Sequence, residues 1–338
     1  MNVTNVIIAL ALTFLLGLVA APWILPMLRR LKFSQSILEI GPSWHKKKQG
    51  TPTAGGIMFV LPILVVSCLL GAPYLFGGDW RLLIMLVFVM LCAAIGFIDD
   101  YIKIKSKHNK GLSVLQKTIL LMAVIALFIG VMYVLGYISD TIFIPFINTR
   151  LHLGYFYFII MIPLCFFFVN SVNLTDGLDG LVSSVTLPYT ISFIFISAWL
   201  NTQARPGEGI AVFAASVTGG LLMFLIYNFY PARVFMGDTG SLFLGGCVVA
   251  LAMAFDMPYF LIMGGLVYLI EGLSVVLQVA FFKLTHGKRL FKMTPIHHHF
   301  ELCGMKETSI VFMFTAVSAL MCIIALGAIV YYKSFIII

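Results

Sequence analysis

The sequence predicts an all-α, polytopic membrane protein of about ten transmembrane helices with both termini outside. Three observations carry that expectation. Of the 338 residues, 61% are hydrophobic and only 10% charged, whereas a soluble domain carries about 25% charged residues. Mean hydropathy is +1.07, and the apolar residues are gathered in runs near the roughly 20 residues that cross a bilayer as a helix. The lysines and arginines fall on alternate loops, as the positive-inside rule requires of a multi-pass chain.

The expected spans are about 4–27, 55–76, 82–99, 117–137, 154–172, 180–200, 210–228, 240–255, 258–284 and 308–331. The first begins Met1-Asn2-Val3-Thr4 without a basic segment and is span-length, so it reads as a membrane helix rather than a cleaved signal. Loops 28–54, 100–117, 173–179, 229–239 and 283–307 hold 17 of the 21 lysines and arginines, which assigns that side to the cytoplasm. The opposite side has only Arg81, Arg150, Arg205 and Lys333. Its segment 141–153 alternates around Pro145 and Asn148 and reads as a small β-hairpin or an interfacial segment. The ninth run, 258–284, is long and has Glu271-Gly272 in its middle, which predicts a bent helix. Glu271 is either functional, as membrane carboxylates tend to be, or a protonated or hydrogen-bonded group at the bend. No linker, repeat or soluble domain interrupts the chain, so 1–338 is one integral membrane domain.

Composition also excludes function classes. The six cysteines form no C-x-x-C pair and five lie in apolar runs, so neither a disulfide framework nor a zinc site is indicated. The net charge of +8 belongs to loops beside membrane spans rather than to a basic domain, which argues against nucleic acid and for anionic headgroups or substrates.

The chemistry-bearing residues all fall in the five basic-side loops or at helix ends beside them. Gly96-Phe97-Ile98-Asp99-Asp100-Tyr101 closes the third run with two adjacent carboxylates, followed by Lys103, Lys105, Lys107 and Lys110. Such charges are costly unless they sit at the water interface and bind something. A divalent metal carrying phosphates accounts for the acids, and an anionic substrate for the lysines. On a helix the two carboxylates point about 100° apart, so they serve different partners; solvation by the following lysines is the bland alternative. The stretch Asn170-Ser171-Val172-Asn173-Leu174-Thr175-Asp176-Gly177-Leu178-Asp179-Gly180 packs amides and acids beside glycines, which suits Mg²⁺ ligation or hydrogen bonding to a base and sugar, or else a capped turn. Asn228-Phe229-Tyr230-Pro231-Ala232-Arg233-Val234-Phe235-Met236-Gly237-Asp238-Thr239-Gly240-Ser241 sets an acid at a helix mouth that can receive phosphate, with Phe235 available to stack on a base. Pro295-Ile296-His297-His298-His299-Phe300-Glu301 offers imidazoles to a diphosphate; zinc is the alternative, without a supporting cysteine or spaced second histidine pair. The first loop, 41–56, joins Lys46-Lys47-Lys48 to glycines without P-loop spacing.

Together Gly50-Thr51-Pro52-Thr53, Phe97-Ile98-Asp99-Asp100, 173–180, 235–241 and 295–301 run in the order of, and the chain resembles, the bacterial phospho-N-acetylmuramoyl-pentapeptide transferases, the translocase I family. The related polyprenyl-phosphate hexosamine-1-phosphate transferases share the aspartate motifs but have a looser histidine cluster. Trp44 and Ala54 depart from the family in the first loop, and Gly304-Met305 stands where it usually has Gly-Trp. The resemblance implies Mg²⁺-dependent transfer of phospho-MurNAc-pentapeptide from UDP-MurNAc-pentapeptide to undecaprenyl phosphate, giving lipid I and UMP. It implies a homodimer in the bacterial inner membrane with its site facing the cytoplasm. By position, Asp238 is the implied Mg²⁺ ligand, with Asp99 and Asp100 beside it. Asn228, Lys117, His297 and His298 correspond to diphosphate or lipid-phosphate contacts, while Asp176, Gly177, Leu178, Asp179, Phe235 and Lys48 correspond to the uridine pocket. Asn173 and His299 join them as substrate-binding candidates. The rival readings are a GlcNAc-1-phosphate transferase of the same superfamily and, from another class, a transporter using Asp99, Asp100 and Glu271 as an ion path.

Overall fold

A computed structural model describes residues 2–30, 50–106, 111–202 and 207–331. Lys48 and Trp44 of the first loop, and Lys107 and Lys110, lie outside the described residues. The helices are α1 (Val3–Arg30), α2 (Ile57–Phe76), α3 (Arg81–Ser106), α4 (Val114–Val134), α5 (Phe156–Thr175), α6 (Leu181–Thr202), α7 (Glu208–Asn228), α8 (Gly237–Ala254), α9 (Pro258–Met263), α10 (Leu266–Leu284), α11 (Ile296–Leu302) and α12 (Glu307–Tyr331). Ten of them, all but α9 and α11, are long and apolar enough to cross a membrane, in agreement with the sequence. The expected hairpin also forms: β1 (Thr141–Ile144) pairs antiparallel with β2 (Thr149–His152), joined by a 3₁₀ turn at Pro145–Ile147. Asn148 closes that turn in the left-handed conformation its side chain tolerates.

The centre of the bundle is α7 and α8, which are buried nearly all round and accordingly apolar on every side. The most extensive helix contact is that of α8 with α3; α8 also takes α5, while α7 takes α1, α2 and α6. Small residues allow the closest approaches, as where Gly56 before α2 touches the backbone of Gly240 in α8. The outer helices expose Ile7, Trp23, Ile119, Val276 and Ile323, a surface suited to lipid.

The ninth run differs from expectation in where it breaks. The interruption lies at Gly264-Gly265, between α9 and α10, and not at Glu271-Gly272. Glu271 stays within α10 because His297 meets its carboxylate, so no distortion is needed to solvate it. Gly272 is small because α5 lies against it: a Cβ would collide with Ser171 Oγ.

At the end of α3 and α8 remote from the aspartates, Arg81 chelates Asp79, with Nε to Oδ1 at 2.8 Å and Nη2 to Oδ2 at 2.7 Å. A cavity of about 210 Å³ opens beside it. The 18 residues from Arg81 to Asp99 put this cavity about 27 Å from the aspartates, at 1.5 Å per residue. Asp256 lines it, accepting from Ser139 N at 3.0 Å and Ser139 Oγ at 2.8 Å, while its Oδ1 is buried without a partner. Burial pushes Asp256 up to about 6, against the pull of Ser139 and Arg150 and with a small push from Asp140. A carboxyl raised in the folded state stabilises the fold at low pH and loses that contribution as pH rises through about 6. The difference from an ordinary aspartate is worth about 3 kcal/mol. Asp256→Asn should therefore gain thermal midpoint over wild type in detergent as pH is raised from 4 to 8, most steeply between about 4 and 6 and levelling off above that; a difference independent of pH would contradict this.

Candidate active site

Helices α3 and α8 run antiparallel, so the end of α3 meets the start of α8. Gly96 makes the meeting close, since a Cβ there would collide with the Asp238 carbonyl. One turn later Asp100 is buried against the first turn of α8. Its carboxylate accepts from Asp238 N at 3.1 Å, Thr239 N at 2.9 Å and Thr239 Oγ1 at 2.7 Å. The residue preceding α8, Met236, supplies no capping side chain, so the cap comes from α3. A carboxylate on a helix N-terminus is favourable both as acceptor and toward the helix dipole.

Asp99, on a different face, accepts from Leu112 N at 2.8 Å and pairs with Lys103 Nζ at 2.6 Å. Lys103 continues to Asp238 Oδ2 at 2.8 Å, where Lys117 Nζ arrives at 3.1 Å. Asn173 Nδ2 donates to Asp238 Oδ1 at 2.8 Å and to Ser241 Oγ at 2.6 Å. One oxygen from each of Asp99, Asp100 and Asp238 lies within 4.8 Å of the others. Three carboxylates against two ammonium groups leave one excess negative charge in a largely buried cluster. Hard oxygen donors and that excess suit a divalent cation such as Mg²⁺. Asp99 and Asp238 are held largely by lysine ammonium groups, whereas the Asp100 carboxylate is engaged by the first turn of α8.

The turn between α5 and α6 is tied in at both ends. Asp179 Oδ2 accepts from Ala232 N at 2.9 Å, and Asp179 N donates to Glu307 at 2.6 Å. Asn228 accepts from Gly180 N at 3.1 Å and donates to the Val234 carbonyl at 2.9 Å, holding the turn to the 229–236 loop. Burial, reinforced by the charges of Asp238, Asp100 and Asp179, pushes Asp176 well above the ordinary carboxylate range. Leu178 is buried in the core, and Phe235 is partly exposed on a loop whose backbone bonds to Pro52 and Gly55 at 2.8 Å.

The three histidines diverge. His297 Nδ1 faces both oxygens of Glu271 at 3.1 Å, His298 Nδ1 pairs with Glu301 at 2.7 Å, and His299 Nδ1 accepts from Lys292 N at 3.2 Å. They share no metal among the described residues. Glu271 is fully buried in this pair, as a transporter's ion-path carboxylate would not be. In the sequence Lys103 stood out only as one of several lysines for an anionic substrate, Thr239, Ser241 and Glu301 fell within motifs without a role of their own, and Glu307 was not singled out. The pairing of Lys103 with Asp99 had a signal, since Lys103 stands four residues later, one turn along the same helix. Because Asp100 satisfies two backbone amides and a hydroxyl, Asp100→Ala should destabilise the protein by about 1–3 kcal/mol. That appears as a lower thermal midpoint in detergent, and an unchanged midpoint would refute the capping role.

Comparison with known proteins identifies the family. The model of glycosyl transferase family 4 matches residues 82–256, a stretch that includes α8 and all of α3 but its first residue. The phospho-N-acetylmuramoyl-pentapeptide-transferase of Clostridium perfringens (strain SM101) is 44% identical over 329 residues, covering 96% of this chain and 97% of its own. That of Acetivibrio thermocellus is 42% identical over 329 residues, covering 97% and 96%. That of Listeria monocytogenes serotype 4b is 38% identical over 333 residues, covering 98% and 100%. With such identity over nearly its whole length, the chain belongs to the phospho-N-acetylmuramoyl-pentapeptide transferases, multi-pass membrane phosphoglycosyl transferases of peptidoglycan synthesis.

Proposed function

We propose that the chain transfers phospho-MurNAc-pentapeptide from UDP-MurNAc-pentapeptide to undecaprenyl phosphate, giving lipid I and UMP, at the junction of α3 and α8. The observation that carries this is the cluster of Asp99, Asp100 and Asp238 with Lys103 and Lys117 at the end of two membrane helices. An oxygen of the lipid phosphate attacks the sugar-bearing phosphorus of the diphosphate. A new phosphoanhydride forms, the old one breaks, and its bridging oxygen leaves on UMP. One anhydride replaces another, so no ATP is consumed.

Mg²⁺, held by Asp238 with Asp99 and Asp100 alongside, would supply charge neutralisation for the diphosphate and the departing UMP. The protein's own groups do the rest. Lys103 and Lys117, now on carboxylates, are placed to bind phosphate oxygens when substrate brings further negative charge. Asp99 lies where it can receive or orient the lipid phosphate. Asp176 in the α5–α6 turn is a candidate for the nucleotide, and Phe235 can stack on the uracil ring. His298 and His299 on α11 are candidates for the diphosphate and the sugar-peptide part. Lys48, outside the described residues, remains a candidate for the nucleotide. The loop charges support a cytoplasmic-facing site in the bacterial inner membrane with both termini outside. The resemblance supports a homodimer.

The test is UMP release by purified protein in detergent with undecaprenyl phosphate and Mg²⁺. Release from UDP-MurNAc-pentapeptide, lost on chelation, is expected; release from UDP-GlcNAc alone would move the enzyme to the hexosamine-1-phosphate branch. Asp238→Asn should lose at least 100-fold in turnover while remaining monodisperse, and near-normal turnover would remove Asp238 from the site. Phe235→Ala should weaken uridine-nucleotide affinity about tenfold, within the range for loss of base stacking, as read by calorimetric titration with UMP.

A further inference from the structure

Glu271 and His297 form a sealed pair behind the α5–α6 turn, and each is 0% exposed. Both carboxylate oxygens lie 3.1 Å from Nδ1, which holds the ring plane. The opposite ring atom, Nε2, is buried without a partner. It faces Gly177: a Cβ on that residue would collide with Nε2, so only glycine lets the turn settle against the imidazole.

The ends of the turn have their own ties, from Asn173 to Asp238 and from Asp179 to Ala232. The ring of His297 meets its middle. The carboxylate in turn is fixed by α10, which Gly272 packs tightly onto Ser171 of α5.

We propose that Glu271 is a positioning residue for nucleotide binding: through the imidazole of His297 it sets the height of Gly177, and with it the placement of Asp176 and Asp179 toward the uridine diphosphate moiety. The proposal rests on the reading of this turn as the nucleotide subsite. It gives a role to a membrane carboxylate that charge alone would assign to ion transport, and it makes His297 a brace rather than an acid or base in the transfer. Glutamine at 271 keeps the shape but exchanges one carboxyl oxygen for an NH₂ donor. Only one of its two terminal atoms can then hold Nδ1 in place of two equivalent oxygens, which loosens the ring against the turn.

The experiment measures UMP affinity by calorimetry and steady-state UMP release in detergent. Glu271→Gln should raise the KM for UDP-MurNAc-pentapeptide and the Kd for UMP at least tenfold. Its kcat should stay within threefold of wild type, and its KM for undecaprenyl phosphate should not change. Gly177→Ala, which pushes a methyl into the ring from the other side, should weaken UMP to a similar degree. In a His297→Ala background, Gly177→Ala should cost nothing further, because the methyl then has no ring to meet. This non-additivity is what general destabilisation would not produce, and the Gly177 variants carry the test if Glu271→Gln does not fold. A fall in kcat with unchanged UMP affinity would overturn the proposal in favour of a direct role for His297 in the transfer, and additive losses would overturn it outright. If wild type neither binds UMP nor releases it, the nucleotide reading itself fails, an outcome distinct from a wild type that binds and variants that behave like it.

Discussion

The structure depends on a charge-balanced junction at one end of the α3–α8 pair. Burying three carboxylates in a bundle that is otherwise apolar is expensive, and each has a specific compensation. Asp100 is neutralised by the N-terminus of α8, Asp99 by Lys103 and a backbone amide, and Asp238 by Lys103, Lys117 and Asn173. Lys103 bridges Asp99 and Asp238, so the two helices cannot slide without breaking an ion pair in a partly buried setting. The absence of a side chain at Gly96 permits the approach on which all these distances depend.

The other site loops attach to this junction in layers. Asn173 carries the α5–α6 turn to Asp238; Asn228 and Asp179 fasten that turn to the 229–236 loop; His297 reaches it from α11. The polar groups of the site thus sit at one end of the spans, where their hydrogen bonds are made to one another. The same arrangement separates two kinds of carboxylate. Asp100 and Glu271 are held by protein groups and maintain geometry, whereas Asp99 and Asp238 are held by lysines that incoming phosphate can recruit.

The spans were legible because a bilayer imposes a length on apolar runs and a side on charged loops. The hairpin was legible from alternation around Pro145 and Asn148. What the sequence could not show was pairing between distant positions. Asp99 and Asp100 were readable as two acids with different jobs, but that Asp100 caps α8 depends on Gly96 bringing a helix 138 residues away into contact. Gly272 beside Glu271 suggested a bend, yet its small size serves packing on α5 and the break falls at Gly264-Gly265. Three consecutive histidines gave no hint that each would find a different partner, since the partners come from α10, from within α11 and from the loop before it.

Binding of Mn²⁺, a paramagnetic stand-in for Mg²⁺, tests the assignment of the junction most directly. Electron paramagnetic resonance of detergent-purified protein titrated with Mn²⁺ should show one bound ion that Mg²⁺ displaces, and the bound signal should vanish in Asp238→Asn. Undiminished Mn²⁺ binding in that variant would contradict the junction as the metal-holding centre of the transferase.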